Sequence, residues 1–343
     1  MVHKFDKVFQ RATSSQWVNE AFLYVQDTSG EFSYSCGYGG RDLDSPMVMA
    51  SITKLFTTTC ILILLEQGKL SLRDKLTKFF NPEILDGLHV YKKKEYSGEI
   101  NLANLLFQTS GLPDVYVETS HSIKNRIIQQ DEYITFDDMI TLVKQLTPHF
   151  SPVSNKRAYY ADINFDLLGE LIEKVTELPL DQVYQTFIFE PLGLTKTYLP
   201  LSEQDFIPEV YFMDKRLYRP KTIMCSRASG GCITTARELM VFLKAFFGGK
   251  LFDQNLLFQD SCYRKMQLTM SPMKYGCGHM EIPLGGLATL FQGKGELIGH
   301  SGSTGSFAFY YPWKDLYFVG DVNQAMKPAI PIRLLVQLAI NAR

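Results

Sequence analysis

Alternation of apolar and polar positions is clearest near the two ends of the chain. Ala21–Gln26 is mostly apolar, residues 27–30 read Asp-Thr-Ser-Gly, and apolar or aromatic residues then occupy every second position from Phe32 to Tyr38. A period of two places these side chains on one face of a strand, and Asp, Ser and Gly favour turns. The pattern predicts a β-hairpin over residues 21–38.

The C-terminal third shows the same pattern and then changes period. Apolar residues alternate from Phe307 to Tyr311, the turn-forming residues Pro312–Asp315 follow, and Leu316–Val319 is a second apolar run. These residues predict another hairpin. Apolar positions in Ile330–Ile340 instead recur at helical spacing, which predicts a helix that closes the chain.

Helical periodicity dominates between these two regions. Phe136–Leu146 and Phe165–Val175 each carry apolar residues on one helical stripe. A third helix is expected to begin at Thr235, because Thr235 and Glu238 have the spacing of a capping box ahead of the apolar run Leu239–Phe247. The middle of the chain is therefore predicted to be mostly helical.

Strands at both ends and helices between them predict an α+β fold. We expect one antiparallel sheet, flanked by helices and built from both termini, with a mostly helical domain inserted into it. The chain has 343 residues, enough for about two domains. Residues 1–74 and 226–343 are assigned to the sheet domain and residues 75–225 to the helical domain. The active site is expected in the cleft between them, because pockets commonly form at domain interfaces.

Composition and charge narrow the possible function classes. Hydrophobic residues make up 45% and charged residues 21% of the chain, which is typical of a globular protein and excludes a disordered or fibrous one. The net charge is −1, with 35 Lys and Arg against 36 Asp and Glu. This balance argues against nucleic acid as a partner, because such binding depends on neutralising phosphates.

The distribution of apolar residues also bears on a membrane location. The longest strictly apolar run, Cys60–Leu65, has six residues, far fewer than the roughly 20 that a spanning helix needs. The N-terminus mixes charged and apolar residues and shows no apolar core of a secretory signal. We therefore expect no membrane span and a cytoplasmic location.

The residue types that most often bind metals are scattered. The six cysteines form no Cys-x-x-Cys pair, which favours buried, inert thiols in a reducing compartment. The six histidines show no His-x-x-His or His-Glu-x-x-His spacing, and none lies near a cysteine at the spacing of a zinc site. No metal and no organic cofactor are expected.

The first segment with a chemical signal is Met47–Lys54. Ser51 and Lys54 lie three residues apart ahead of an apolar run that predicts a helix over Leu55–Gln67, so both side chains share one helical face. A helix N-terminus favours a developing anion, and an amine near the hydroxyl can stabilise or accept its proton. Taken alone, the serine is also explained as a simple N-cap. A second Ser-x-x-Lys, Ser271–Lys274, precedes Tyr-Gly-Cys-Gly, which does not continue a helix well.

Two further segments follow in a fixed order along the chain. Residues 159–165 read Tyr-Tyr-Ala-Asp-Ile-Asn-Phe ahead of the helix predicted at Phe165–Val175, and residues 299–305 read Gly-His-Ser-Gly-Ser-Thr-Gly ahead of a predicted strand. With Ser51 and Lys54, they resemble the motifs of the serine β-lactamase and penicillin-binding-protein superfamily, and within it the class C β-lactamase-like hydrolases and esterases. The resemblance covers most of the chain, and further similar stretches are Glu66–Asp74, Leu105–Leu112, Tyr160–Gly169, Pro191–Leu194 and Ser229–Phe242.

The resemblance implies a role for each matched residue. Ser51 would attack an ester or amide carbonyl and become acylated, Lys54 would maintain the charge state of the Ser–Tyr pair, and Tyr160 would act as general base or share that role with the lysine. A free Tyr has a pKa near 10, so a nearby cation must stabilise its phenolate. The backbone N–H groups of Ser51 and Ser303 would form the oxyanion hole, and Gly302 would let the substrate approach the strand closely.

The sequence departs from the family pattern in three places. Asp162 stands where Asn is common, so it can accept a hydrogen bond from Lys54 but cannot donate one to a substrate carbonyl. His300 and Ser301 replace the Lys and Thr of Lys-Thr-Gly, and a His is cationic only part of the time near neutral pH. Gln108 stands where the family usually has His. We expect these residues to face the substrate, and the changes at Asp162 and at His300 and Ser301 favour an ester or small amide over penicillins or peptidoglycan stems.

The sequence therefore predicts a serine hydrolase that acts through an acyl-Ser51 intermediate on a small ester, amide or peptide-like substrate, with β-lactams among the candidates. The first alternative is a D,D-carboxypeptidase, a D-aminopeptidase or a weak β-lactamase. The second is a non-catalytic binding module that keeps the fold, because the second and third motifs are imperfect. Residues 115–130 and 206–222 are expected to shape specificity, but their sequence indicates no particular substrate.

Overall fold

A computed structural model of the chain describes residues 1–120, 122–154, 157–258, 263–286, 289 and 292–342. A 3-10 turn at Ala50–Ile52 leads directly into the second helix. The α-helices of the described residues are, in chain order, α1 (Val2–Thr13), α2 (Thr53–Glu66), α3 (Pro82–Leu85), α4 (Leu102–Leu106), α5 (Ile123–Gln129), α6 (Phe136–Lys144), α7 (Ile163–Thr176), α8 (Leu180–Tyr184), α9 (Glu190–Leu192), α10 (Pro220–Cys225), α11 (Arg227–Gly230), α12 (Ala236–Phe247), α13 (Asn255–Phe258) and α14 (Ala329–Asn341).

Most of the strands belong to one antiparallel sheet. The described strands are β1 (Ala21–Asp27), β2 (Ser33–Tyr38), β3 (Met47–Val48), β4 (Val90–Tyr91), β5 (Lys94–Glu95), β6 (Val210–Phe212), β7 (Lys215–Leu217), β8 (Ile233–Thr234), β9 (Arg264–Lys265), β10 (Lys274–Tyr275), β11 (Met280–Pro283), β12 (Glu296–Ser301), β13 (Ser306–Tyr311) and β14 (Leu316–Asp321). The order in the main sheet is β2-β1-β14-β13-β12-β11-β10-β9, while β3 pairs with β8, β4 with β5 and β6 with β7.

The register of the sheet joins the two ends of the chain. In the predicted hairpin, Ala21 of β1 lies opposite Tyr38 of β2. On its other edge, β1 pairs with β14, where Phe22 lies opposite Asp321. The predicted fold class, an antiparallel sheet built from both termini and flanked by helices, is therefore confirmed.

Both faces of the central strands are covered. Every residue of β14 is buried, as is every residue of β13 except the half-buried Tyr310. A strand with one face in water would alternate instead. Helix α12 packs on β1, β13 and β14, and helices α1 and α14 pack on each other and on the same sheet. The sheet is thus the middle layer of the core.

Helix α2 is buried on all sides. Its side chains from Thr53 to Leu62 are all buried, which is typical of a core helix rather than an amphipathic surface helix. The ring of Phe56 makes edge-to-face contacts with the rings of Tyr184, Phe189 and Phe242, at centroid distances of 5.8, 5.4 and 4.4 Å. These contacts lock α2 between the α8 region and α12, and they fix the direction in which its first turn points.

The predicted helices are present with small shifts at their ends. Those expected at Phe136–Leu146 and Phe165–Val175 are α6 and α7. Thr235 caps α12, because its hydroxyl accepts from the Glu238 N–H at 3.4 Å. The Glu238 carboxylate does not complete the capping box but accepts from the Lys196 backbone N–H at 2.9 Å. This bond ties the start of α12 to the chain that precedes β6.

Helix α1 and strands β9 to β12 were not predicted. In α1, Phe5 and Phe9 lie one turn apart and are buried, while the charged side chains of the helix are exposed or half-buried. Strands β9 and β10 are two residues long each, too short for alternation to be visible. The sheet is therefore wider than the residue pattern indicates.

The division into two domains remains a proposal. We propose that residues 1–74 and 226–343 form the sheet domain and that residues 75–225 form the helical domain. All the described strands of the main sheet lie within the first two ranges, which supports these boundaries.

Burial of the thiols agrees with their expected inertness. Cys60 and Cys232 are fully buried, and burial raises the pKa of both thiols. Cys262 and His121 lie outside the described residues. Among the helices of the described residues, none has the length and apolar character that crossing a bilayer requires.

Candidate active site

Ser51 lies at the junction between β3 and α2. The chain leaves β3, where the Met49 N–H donates to the Cys232 carbonyl at 2.9 Å, and turns through Ala50–Ile52 into the helix. Ala50 has a φ of +45°, a left-handed conformation that costs a non-glycine residue about 1–3 kcal/mol. The surrounding packing holds this turn in place and presents the Ser51 side chain to a pocket.

Lys54 follows one turn later and is fully buried. Its Nζ donates to three acceptors: the Ser51 Oγ at 3.1 Å, the Asp162 Oδ1 at 2.6 Å and the Ser229 carbonyl at 2.6 Å. An ammonium group has three N–H donors and no acceptor. The charged lysine therefore has a partner for each of its donors.

Tyr160 lies against this lysine, with the Lys54 Nζ 5.1 Å from the centre of its ring. Its hydroxyl is buried and makes no well-formed hydrogen bond within the described ranges. Burial, and then the charge of Asp162, raise the pKa of Tyr160 well above its ordinary value, whereas the Ser51 hydroxyl lowers it. The resting site therefore holds a neutral phenol beside the serine.

Gln108 holds the segment that carries Tyr160. Its backbone carbonyl accepts from the Tyr159 N–H at 2.8 Å, and its side-chain Oε1 accepts from the Ala161 N–H at 3.0 Å. The side chain is fully buried and also accepts from Asn164. Gln108 was expected to face the substrate, but it lies behind the tyrosine and positions it.

His300 and Ser301 also lie away from the pocket. His300 is fully buried, its ring centre 5.9 Å from that of Tyr160. Its Nδ1 lies 2.9 Å from the Ser301 carbonyl, and its Nε2 lies 3.4 Å from the Tyr275 Oη. Burial, and then the charge of Lys54, lower the pKa of His300 to about 3. His300 was expected to contact the substrate. It is instead a neutral side chain that packs against the Tyr160 ring and does not line the pocket.

Gly302 brings the turn between β12 and β13 against the nucleophile segment. A Cβ atom at this position would lie 2.6 Å from the Met49 carbonyl oxygen and 2.1 Å from the Ser306 Oγ. Two hydroxyls fasten the same turn, since Thr304 donates to the Val48 carbonyl at 3.2 Å and Ser306 donates to the Met49 carbonyl at 3.0 Å. Glycine is thus required here because the turn packs closely against the Met49 carbonyl and the Ser306 hydroxyl.

This docking places Ser303 beside Ser51. Ser303 is exposed, and both serines line the same pocket. The Ser303 backbone N–H donates no hydrogen bond to any described residue. It is therefore available to a carbonyl oxygen bound at Ser51.

Three carboxyl groups interact electrostatically with Lys54. Besides Asp162, they belong to Asp114 and Asp166, neither of which had been predicted as a site residue. Burial, and then the charge of Asp162, raise the pKa of Asp114 well above its ordinary value and that of Asp166 to about 7. Asp166 lies at the start of the predicted helix Phe165–Val175, four residues after Asp162, and this spacing could have indicated it. The loop that holds Asp114 shows no such pattern. The raised pKa values favour the protonated, uncharged form of both carboxyl groups.

A pocket of about 140 Å³ opens beside Ser51. Of the predicted site residues, Ser51, Asp162 and Ser303 line it, whereas Lys54 and Tyr160 lie against its serine from behind. Part of its wall comes from the two segments expected to shape specificity: residues 115–130 supply Tyr116, Ile123, Lys124, Ile127 and Ile128, and residues 206–222 supply Val210, Phe212, Leu217, Arg219 and Thr222.

The chain is similar in sequence to a known protein family. The family model described as Beta-lactamase matches residues 5–336. Monacolin J acid methylbutanoyltransferase of Aspergillus terreus is 26% identical over 220 residues, which cover 58% of this chain and 52% of the relative. The chain spans about half the length of the curated relatives it matches.

Solved structures share the fold over nearly the whole chain. A D-stereospecific amidohydrolase from Streptomyces sp. is 22% identical, with 97% of both chains covered and a TM-score of 0.76. EstCE1, described as a hydrolase with promiscuous acyltransferase activity, is 17% identical, with 98% of this chain and 97% of the other covered and a TM-score of 0.77. At these identities the likeness shows the fold.

The docking of the β12–β13 turn generates a first prediction. Gly302→Ala forces a methyl group onto the Met49 carbonyl, so we expect a loss of about 1–3 kcal/mol in the free energy of unfolding. Gly98→Ala is the matched control, because its Cβ would meet only the Thr77 Cγ2 at 3.6 Å and should change stability by less than about 0.5 kcal/mol. Urea denaturation measures both. Equal stability of the two variants would contradict the docking argument.

Proposed function

The chain belongs to the Beta-lactamase family, which includes serine hydrolases and acyltransferases, and from this premise we propose that it is a serine hydrolase acting on small, uncharged esters or amides through an acyl-Ser51 intermediate. The observation that carries the proposal is the Ser51 hydroxyl, which lies 3.1 Å from the Lys54 Nζ and faces a pocket. A nucleophile, a cation beside it and a space for substrate coincide at one helix start.

The hydrogen bonds around Lys54 favour Tyr160 as the general base. While charged, Lys54 donates all three N–H groups and has no lone pair to accept the Ser51 proton. The Ser51 oxygen accepts from the lysine, which leaves its own proton to pass to the Tyr160 oxygen. Because burial and Asp162 raise the Tyr160 pKa, the phenolate is scarce at neutral pH but strongly basic.

The reaction then proceeds in two balanced halves. Acylation starts from the Tyr160 phenolate: the Ser51 Oγ bonds to the carbonyl carbon, the serine proton moves to the phenolate oxygen, and that proton passes to the leaving oxygen or nitrogen as the bond to it breaks. In deacylation, water takes the place of the leaving group, gives its proton to the tyrosine and releases the acid, while the serine regains a proton.

The negative charge that develops on the carbonyl oxygen has two donors near it. In the proposal these are the backbone N–H groups of Ser51 and Ser303. The Ser51 N–H is at a helix start, where the backbone carries a partial positive charge. Each such donor is worth roughly 3–4 kcal/mol in the transition state of a comparable hydrolase.

Charge around the site favours uncharged substrates over the first alternative. D,D-Carboxypeptidase substrates and β-lactams carry a carboxylate, and His300, which occupies the position of the family's cationic residue, is neutral because burial lowers its pKa to about 3. The Asp162 carboxylate, which lines the same pocket as Ser51, would repel a substrate anion. The non-catalytic alternative leaves the joint placement of Ser51 and Lys54 without a purpose.

Covalent labelling tests the nucleophile. A fluorophosphonate should form one adduct on Ser51, located by mass spectrometry of proteolytic peptides, and Ser51→Ala should abolish both the adduct and ester turnover without unfolding the protein. Ser271→Ala is the matched control, because Ser271 heads the other Ser-x-x-Lys segment and is exposed. It should label normally. A folded Ser51→Ala variant that still hydrolyses esters would refute the assignment.

The carboxylate of Asp162 generates a prediction about pH. In the unmodified protein kcat/KM should rise with pH into the alkaline range, because the phenolate fraction of Tyr160 rises. Asp162→Asn removes a charge that raises the Tyr160 pKa, so the rising limb should move to lower pH by about one unit. The Asn oxygen can still accept from Lys54, which preserves the fold.

A graded control accompanies this measurement. Asp166 raises the Tyr160 pKa less than Asp162 does, so Asp166→Asn should shift the same limb in the same direction by a smaller amount. The readout is kcat/KM for a 4-nitrophenyl ester between pH 6 and 10, corrected for spontaneous hydrolysis. A limb that stays in place or moves to higher pH in Asp162→Asn would show that this carboxylate does not control the base.

A further inference from the structure

The pocket beside Ser51 has mostly aliphatic walls. They include Ile123, Ile127, Ile134, Val210, Phe212 and Leu217. A volume of about 140 Å³ corresponds to roughly ten water-sized groups. Filling it with water leaves apolar surface wetted, whereas an aliphatic chain removes that surface from water.

The two wall segments are fastened to each other. The Arg219 guanidinium donates to the Ile127 and Ile128 carbonyls. From the other side, the Asp131 carboxylate accepts from the Lys221 and Thr222 backbone N–H groups at 2.9 and 3.0 Å. In these hydrogen bonds, polar groups of one segment pair with polar groups of the other. The pocket is therefore formed before a ligand binds, and Arg219 is already engaged.

Charges at the pocket disfavour an anionic chain. Asp162 and Asp166 both line it, and Glu132 is paired with Arg126. Lys124 and Arg219 are the cations in the lining. Three acidic side chains against two cations leave no excess of positive charge, and a carboxylate on the chain would be buried among apolar side chains, which is costly unless it is paired.

The position of Tyr160 indicates where the acyl chain of the substrate lies and where its leaving group lies. In the proposed function this residue returns the proton to the leaving atom, so the leaving group must lie towards it. Tyr160 does not line the pocket, whereas Ser51 and Ser303 do. The acyl chain, which stays attached to the serine through both halves of the reaction, is the part that points into the pocket.

We propose that the substrate carries an uncharged aliphatic acyl chain of about six to eight carbons, which the Ile-rich pocket binds. This inference rests on the proposed function. A methylene group moved from water into an apolar pocket contributes about 0.8 kcal/mol, which converts to roughly a fourfold gain in kcat/KM for each added carbon. Octanoyl esters should therefore react at least 100-fold faster than acetyl esters.

Two ester series test the proposal on the intact protein. The first keeps 4-nitrophenol as the leaving group and lengthens the acyl chain from acetyl through butanoyl and hexanoyl to octanoyl. The second keeps an acetyl group and lengthens the alcohol from ethyl to octyl. The acyl series should show the steep rise and the alcohol series a nearly flat response. The 4-nitrophenyl monoester of adipic acid, with a terminal carboxylate, should react at least tenfold more slowly than the hexanoyl ester.

A variant that fills the pocket localises the effect. Ile127→Trp should lower the ratio of octanoyl to acetyl kcat/KM at least tenfold, and circular dichroism checks that the variant is folded. Val241→Trp is the matched control on the exposed face of α12, and it should leave the whole series unchanged.

The outcomes distinguish a failure of the proposed function from a failure of the proposed chain-binding pocket. If no ester leaves an acyl group on Ser51 by mass spectrometry, the proposed function fails. If Ser51 is acylated but the acyl series is flat, or the alcohol series carries the length dependence, or Ile127→Trp slows acetyl and octanoyl esters equally, the chain-binding pocket is refuted and the hydrolase proposal stands.

Discussion

A buried ammonium group with three acceptors is the constraint on which the site depends. Removing a charge from water costs several kcal/mol unless it is paired and hydrogen-bonded. Lys54 meets that condition only because three separate parts of the fold converge on it: the Ser51 hydroxyl before α2, the Asp162 carboxylate at the start of α7 and the Ser229 carbonyl in α11. The charge that serves the proposed chemistry therefore also requires the helices to pack as they do.

The remaining site residues are held by contacts to the backbone, which fix how far each lies from the pocket. Gln108 fixes the segment around Tyr160 by accepting from the N–H groups on either side of it. The turn at Gly302 is fastened to the carbonyls that precede Ser51. As a result, a phenol that burial keeps neutral, an engaged ammonium and a free N–H surround one hydroxyl. Only the hydroxyl and the N–H face the pocket, which fits a site that binds an apolar chain and directs protons from behind.

Much of this arrangement could be predicted from the order of residues in the sequence. How deeply each site residue is buried could not. The hairpin at 21–38 alternates with a period of two, and the spacing of Ser51 and Lys54 places both on one helical face, so these features are visible in the sequence. A motif gives the type and order of residues but not their distance from solvent. For that reason His300 and Gln108 were expected to contact substrate, although both are fully buried. Part of the pocket wall forms from two segments that lie far apart in the chain and are joined by Arg219, and no local pattern encodes that pairing.

The charge state of the Tyr160 phenol tests the central claim most directly. Tyrosine labelled with ¹³C at Cζ reports ionisation of each ring by NMR, and the Tyr160→Phe variant assigns the relevant signal. If Lys54 is committed to Ser51, Asp162 and Ser229, the resting phenol should stay protonated beyond pH 10, because burial and the Asp162 charge both raise its pKa. A Tyr160 signal that ionises near neutral pH would mean that the lysine charge is directed at the phenolate, and the account of the site would be wrong.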